Sequence, residues 1–180
     1  MKEIRLRYAE EKDLDDMAIW FADEEVMYWS SGSHGETLFT REQLAERLAT
    51  MNSLHSGRWW MIDVNEGAKG WRAIGRVTFR NYEPVVHAVT IGITIGNKEY
   101  WGQGYGSKAI RAFVDLLFRR YNLHRIQLDT FQDNIRAIRA YEKCGFKQEG
   151  KLRQSFWTTK GYQDRVIMGI LRSDWERKQE

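Results

Sequence analysis

From Val89 to Ser107 the chain runs through an alternating apolar pattern, a turn punctuated by glycines and the opening of a helix, and this passage restricts the fold more than any other. Val89, Ile91, Ile93 and Ile95 alternate with Thr90, Gly92 and Thr94, the period of a strand with one apolar face. Ala109, Ile110, Phe113, Val114, Leu117 and Tyr121 then recur at helical spacing, with Asn122 as a stop. Trp101-Gly102-Gln103-Gly104-Tyr105-Gly106-Ser107 is therefore a strand-to-helix turn. The first N–H groups of a helix lack intrahelical partners and sit at its positive dipole end, which together favour phosphate. Glycine at alternate positions lets a pyrophosphate lie against the backbone. The same glycines also suit a plain tight connection. No Gly-Lys-Ser/Thr follows, so the turn is not a P-loop. Its G-x-G-x-G spacing differs from the G-x-G-x-x-G of dinucleotide sites, although Asp129 stands where a ribose ligand would, so a nucleotide oxidoreductase stays open on this turn alone.

A chain of 180 residues with 42% hydrophobic and 29% charged content predicts one soluble domain over residues 1–180. A net charge of +3, without a basic run, gives no reason to expect nucleic acid. No apolar run is long enough to cross a membrane and no signal-peptide pattern is present, so neither membrane nor export is expected. Cys144 is the single cysteine, which excludes an internal disulfide and fits a reducing cytoplasm. His34, His55, His87 and His124 are scattered, so no metal is expected.

Taken in order, Ile4, Leu6 and Tyr8 read as a first strand, and Asp13 opens a helix carrying Leu14, Met17, Ala18 and Phe21. Glu10 to Glu25 holds eight acidic residues against Lys12 alone, either a solvated face or an electrostatic funnel for a cationic substrate. Val26 to Trp29 reads as an aromatic patch followed by a mobile loop through Gly35. Thr40 and Gln43 form a capping box for a helix with Leu44, Leu48 and Met51 inward. Trp59–Val64 and Ala73–Phe79 read as strands joined by a hairpin loop at residues 65–70, and a turn at Asn81–Val85 holds the single proline. After the central helix comes a strand at Arg125–Phe131. Next comes a helix capped by Asp133 or Asn134, with Ala137, Ile138 and Tyr141 on one face and Gly145 at its end. The strands Gln148–Thr158 and Tyr162–Leu171 close the chain. This order predicts an α+β fold on a mixed, largely antiparallel sheet.

The strand leading into W-G-Q-G-Y-G-S, the helix, and then D-N-I-R-A-I-R-A-Y-E-K-C-G-F together resemble the GNAT superfamily of acetyl-CoA-dependent N-acetyltransferases. The first matches its Q/R-x-x-G-x-G/A motif and the second its N-x-x-A-x-x-x-Y-x-K-x-G-F motif. The tail from Gly150-x-x-Arg153 through Gly161-Tyr162-x-Asp164 to Trp175 is similar to the branch holding spermidine and ribosomal-protein N-terminal acetyltransferases. The resemblance implies a central sheet splayed at a bulged strand, with helices on both faces and Gly92 suited to the bulge. It implies acetyl-CoA as co-substrate, no metal, a small-molecule or peptide amine as acceptor (a protein N-terminus, a polyamine or another small amine), and a homo-oligomer, dimer or larger. It places the pyrophosphate on Trp101, Gly102, Gln103, Gly104, Tyr105, Gly106 and Ser107, and pantetheine along Ile93, Thr94 and Ile95. Asn134 and Ala137 face the cofactor, Asn134 as a pantetheine partner or only as a helix cap, and Lys143 reaches a CoA phosphate or solvent. It implies that Tyr141 is the general acid for the departing thiolate, although the same residue also suits a plain buried helix face, and that Cys144 is inert.

Two positions depart from the pattern. Trp101 replaces the usual Gln or Arg, and Thr90 stands where many relatives carry a strand Glu. Taking a proton from an amine of pKa about 10.4 at pH 7 costs roughly 4–5 kcal/mol, whereas aligning amine and thioester supplies about 7–11 kcal/mol. Positioning therefore dominates, and Glu83 or His87, through water, are the candidate bases, although Glu83 also reads as a turn residue and His87 as a hydrogen-bonded strand histidine. Trp29, with Glu83, is assigned to the acceptor side, and Trp59 and Trp60 could add an apolar wall. The alternative reading is a cofactor-binding sensor or partner module without turnover.

Overall fold

The computed structural model describes residues 1–32 and 39–177. The loop expected before Thr40, together with His34, lies for the most part outside the described residues. The elements in chain order are β1 (Ile4–Tyr8), α1 (Leu14–Ala22), α2 (Glu24–Ser31), α3 (Arg41–Thr50), β2 (Arg58–Asn65), β3 (Trp71–Glu83), β4 (Ala88–Ile95), α4 (Tyr105–Arg120), β5 (Arg125–Phe131), α5 (Ile135–Cys144), β6 (Lys147–Thr158), β7 (Gly161–Leu171) and α6 (Arg172–Glu176). The strands form one sheet in the order β1-β2-β3-β4-β5-β7-β6. Every neighbouring pair is antiparallel except β4 and β5, which the α4 crossover makes parallel.

That parallel pair is short: only Ala88↔Arg125, Val89↔Ile126 and Thr90↔Gln127 are in register. Beyond Thr90 the two strands part, and the sheet opens into a wedge. The bulge expected at Gly92 is absent, because β4 keeps an unbroken register with β3 from Thr90 to Ile95. The irregularity sits instead in β3, between Arg80 and Glu83, where Asn81 has φ 53°. This carries the strand on to Glu83, which pairs with Ala88, so Asn81 to Glu83 belong to β3 rather than to the expected turn.

Alternation along the strands separates two cores. On one face Trp60, Phe79, Val89, Ile126 and Met168 pack with Phe113 and Leu117 of α4 and Tyr141 of α5. On the other, Trp59 and Met61 pack with Leu14, Met17 and Phe21 of α1, Val26 and Met27 of α2 and Leu44 of α3. Adjacent strand residues point to opposite faces. Trp59 and Trp60 are thus buried in different cores, and the apolar wall expected of them does not exist. Thr90 and Thr94 are buried too, since α2 covers the polar face of β4. The Thr90 hydroxyl accepts from Gln127 Nε2 at 3.2 Å, and Thr94 shares a hydrogen bond with Ser30 at 2.8 Å.

The capping box of α3 forms, with Gln43 N–H donating to Thr40 Oγ1 at 3.3 Å and Thr40 N–H to Gln43 Oε1 at 3.0 Å. The segment expected as an aromatic patch and loop is helical through Ser31. Asp23 caps it, accepting from Glu25 and Val26 N–H, both at 3.0 Å. The helix ends at Gly32 with φ 77°, where a Cβ would lie 2.4 Å from the Phe156 ring. A glycine there lets β6 close against the end of α2.

Candidate active site

Two cavities meet in the wedge. The larger, about 610 Å³, runs between the start of α4 and the exposed side of α5. Ile93, Thr94, Ile95 and Trp101 line it from the strand side, and Gly102, Gly104, Tyr105, Gly106 and Ser107 form its floor. Asn134, Ala137, Tyr141 and Lys143 line it from α5. Gln103 is the one predicted cofactor residue outside this lining; its Nε2 donates back to the Glu99 carbonyl.

Gly104 is the N-cap of α4 in the left-handed region, φ 83°, and its carbonyl accepts from Lys108 N–H at 3.1 Å. The N–H groups of Tyr105, Gly106 and Ser107 therefore open the helix without intrahelical acceptors. Gly106 is informative for a different reason. Its φ is ordinary, and a Cβ built on it would have Ile95 at 3.9 Å as its nearest neighbour. Neither backbone conformation nor packing demands glycine there, and what a side chain would fill is the groove itself.

Trp101 is held by Nε1 donating to the Ile95 carbonyl at 2.7 Å. Its ring carries the Arg136 guanidinium at 4.7 Å, and Trp29 flanks the same guanidinium at 5.6 Å. The positive side chain missing at position 101 is thus supplied from α5, where Arg136, Arg139 and Lys143 all line the groove. Arg136 and Arg139 escaped the sequence reading because they look like the solvent face of an amphipathic helix. With a helix start, an unfilled glycine and three cations, the residues fit a pyrophosphate-bearing ligand.

Asn134 acts as the helix cap, its Oδ1 accepting from Ala137 N–H at 3.3 Å. Its Nδ2 donates to the Trp29 carbonyl and to Thr130 Oγ1, each at 3.2 Å, and so ties α2, β5 and α5 together. Cys144 is buried, with Sγ 3.3 Å from the Ser107 carbonyl, and does not line either cavity.

The second cavity, about 320 Å³, shares Trp29, Ile93 and Tyr141 with the first. Tyr141 thus stands at the junction. It is buried, and burial pushes its phenol above the ordinary value, with the nearby charge of Asp129 adding to the effect. At neutral pH the phenol carries its proton. The cavity walls include Phe156 and Trp157 of β6, and its floor bears Arg80, Asp129 and Arg165. Asp129 Oδ2 accepts from Arg165 Nη1 at 2.8 Å, and Oδ1 from Arg80 Nη2 at 3.4 Å.

Glu83, exposed at the end of β3, and His87, in the exposed turn that follows, line neither cavity. The reason is the register: Glu83 pairs with Ala88, at the closed end of the wedge where β4 is still joined to β5. The acidic segment also lies elsewhere, because none of its eight carboxylates lines either cavity. Asp13 is buried under Arg7 at 2.6 Å, Asp15 pairs with Arg41 at 2.9 Å and Asp23 with Lys98 at 2.7 Å. Among the described residues no cluster of His, Cys, Asp and Glu could hold a metal ion, and no helix is long and apolar enough to cross a membrane.

A helix start with three cations at one end of a groove and a protonated phenol at its junction with a second cavity suit a nucleotide-tailed thioester. The class is an acyltransferase that draws on such a coenzyme. Comparison with known proteins narrows it: the acetyltransferase (GNAT) domain model matches residues 3–147, and the chain belongs to that family, an acetyl-CoA-dependent N-acetyltransferase. Aminoglycoside N(6')-acetyltransferase type 1 of Klebsiella pneumoniae is 26% identical over 171 residues, covering 82% of this chain and 75% of the relative. Spermidine N(1)-acetyltransferase of Vibrio cholerae is 37% identical over 82 residues, 46% of this chain and 47% of the relative. Among solved structures, spermidine N-acetyltransferase from Vibrio cholerae in complex with CoA and spermine superposes with a TM-score of 0.84 at 25% identity, over 96% of this chain and 98% of the other. Aminoglycoside acetyltransferase AAC(6')-Ib in complex with CoA and kanamycin gives 0.77 at 25% identity, over 99% and 100%.

Proposed function

We propose that the protein transfers the acetyl group of acetyl-CoA directly to a primary amine held in the smaller cavity, with Tyr141 as general acid. Bound acetyl-CoA supplies an activated acyl group with a thiolate leaving group. The N–H groups of Tyr105, Gly106 and Ser107, with Arg136, Arg139 and Lys143, hold its diphosphate. Ile93 and Ile95 present main-chain groups to its pantetheine, the Ile95 carbonyl excepted because Trp101 already occupies it, and Thr94 lines the groove between them. The observation that carries the reading is Tyr141 at the meeting of the two cavities, its phenol kept protonated by burial. From there it gives its proton to the leaving sulfur.

Thr90 cannot take the amine's proton, and Glu83 and His87, at the closed end of the wedge, line neither cavity. Asp129 is the carboxylate that faces the acceptor among the described lining residues, and it replaces them as the group that draws the proton away through water. A homo-oligomer and a reducing cytoplasmic setting complete the proposal; the exposed Trp157, Tyr162 and Leu152 on β6 and β7 offer apolar surface for a subunit contact, which light scattering would test.

Release of the CoA thiol in the presence of amines tests the activity. Tyr141→Phe should lower kcat by about 10²–10⁴, the usual worth of a general acid, with acetyl-CoA affinity unchanged by calorimetry. Wild-type turnover by the variant would remove the phenol from the reaction.

A further inference from the structure

We propose that the acceptor carries an anionic group of its own, a carboxylate or a phosphate, beside the amine, and that Arg80 receives it. The inference rests on the acetyltransferase reading and names its substrate class. The charged side chains lining the acceptor cavity, among the described residues, are Arg80, Asp129 and Arg165, two cations against one anion. They form a row across the sheet from β3 over β4 to β5 and β7.

The two arginines are not equivalent. Arg165 is committed: Nη1 donates to Asp129 at 2.8 Å, while Nε and Nη2 donate to the Ser155 carbonyl at 3.2 and 2.9 Å. Arg80 touches Asp129 only at 3.4 Å, and its side chain is 46% exposed. It reaches the cavity because β4 has no side chain in its way, as a Cβ on Gly92 would lie 3.3 Å from Arg80 Nη1. Gly92 therefore clears the path of an arginine. The result is a loosely tethered guanidinium in a cavity walled by Trp29, Phe156 and Trp157.

A polyamine or an aminoglycoside would bring further ammonium groups against Arg80, with none of the acids of Glu10 to Glu25 there to receive them. An amine with its own anion reverses the sign of that contact. Asp129, held by Arg165, then faces the ammonium, while the aromatic walls take the acceptor's apolar body.

The test is CoA thiol release with matched acceptors: tryptophan against tryptamine, O-phosphoethanolamine against ethanolamine, and spermidine and kanamycin as polycations. At least one anion-bearing amine should exceed its counterpart lacking the anion by about tenfold or more in kcat/KM, the worth of a charge-assisted hydrogen bond. Which pair shows the preference separates carboxylate from phosphate. Arg80→Gln should reduce it to about twofold or less without changing KM for acetyl-CoA, and Arg80→Lys should restore part of it. A preference for spermidine or kanamycin, or an anion preference that survives Arg80→Gln, overturns the assignment but leaves the acetyltransferase standing. No turnover with any of these amines, joined to no binding of acetyl-CoA by calorimetry, overturns both.

Discussion

Gly106 shows how much one missing side chain can say. Apart from its own stretch of helix, no described residue comes nearer to where its Cβ would be than Ile95 at 3.9 Å, so Gly106→Val should fold normally, with an unchanged circular dichroism spectrum. Its acetyl-CoA affinity should nevertheless fall by about tenfold or more, because the added methyls occupy the diphosphate seat; equal affinity by calorimetry would place the seat elsewhere. Tyr141 makes a second prediction, with its sign set by burial. Burial holds its folded-state pKa above the ordinary phenol value of about 10. Below that pH the phenol is neutral in both folded and unfolded chains and contributes no pH dependence. Above it the unfolded chain ionises first, so stability falls as pH rises. Denaturant titrations at pH 9 and 11 should show wild type losing stability relative to Tyr141→Phe; a constant difference would mean the phenol is solvated. At this scale the sequence was readable where spacing repeats a motif, as at Gly104, Gly106, Asn134 and Tyr141. Arg80, Asp129 and Arg165 were not, because a charge in a strand looks the same whether it faces bulk water or a cavity.

Among the elements, α5 is held by its first turn. Asn134 both caps it and reaches Trp29 and Thr130, so Asn134→Ala should cost about 1 kcal/mol for the cap and more for the buried partners left unpaired. A drop in Tm together with weaker acceptor binding is expected. Gly96 makes a sharper steric case: a Cβ there would fall 2.0 Å from the Trp20 ring that joins α1 to the sheet. Gly96→Ala should destabilise by about 1–3 kcal/mol, the usual cost of overfilling a core, and chemical denaturation would measure it. The strands, α3, α4 and α5 were legible because their apolar periods run unbroken over many residues. Helix α2 was not: eight residues with Val, Tyr and Trp among them read as aromatic patch, and the cap at Asp23 lay inside an acidic run that hid it. The extension of β3 escaped for a comparable reason, since Asn81 and Pro84 look like turn residues until the irregular pairing is seen.

For the whole molecule, the decisive feature is that a sheet otherwise antiparallel contains one parallel pair joined for three residues only. The order of helices and strands predicts the mixed sheet, but no local pattern says where two neighbours stop pairing, because that depends on what α2 and α5 insert between them. A ligand that spans the wedge should stiffen the entire fold. Acetyl-CoA at about a hundred times its Kd adds about 2.7 kcal/mol, which for a chain of this size is roughly 5–11 °C in Tm; no shift in a thermal melt would mean that the groove does not bind it. The junction formed by Trp29, Ile93 and Tyr141 has a further consequence for the kinetics. If, as proposed, the coenzyme lies in the groove between α4 and α5 and the amine in the cavity lined from β3, β6 and β7, the two reactants occupy separate cavities, and neither has to leave before the other arrives. Double-reciprocal plots at several fixed acceptor concentrations should therefore intersect rather than run parallel, the signature of a reaction that waits for both reactants to be aboard.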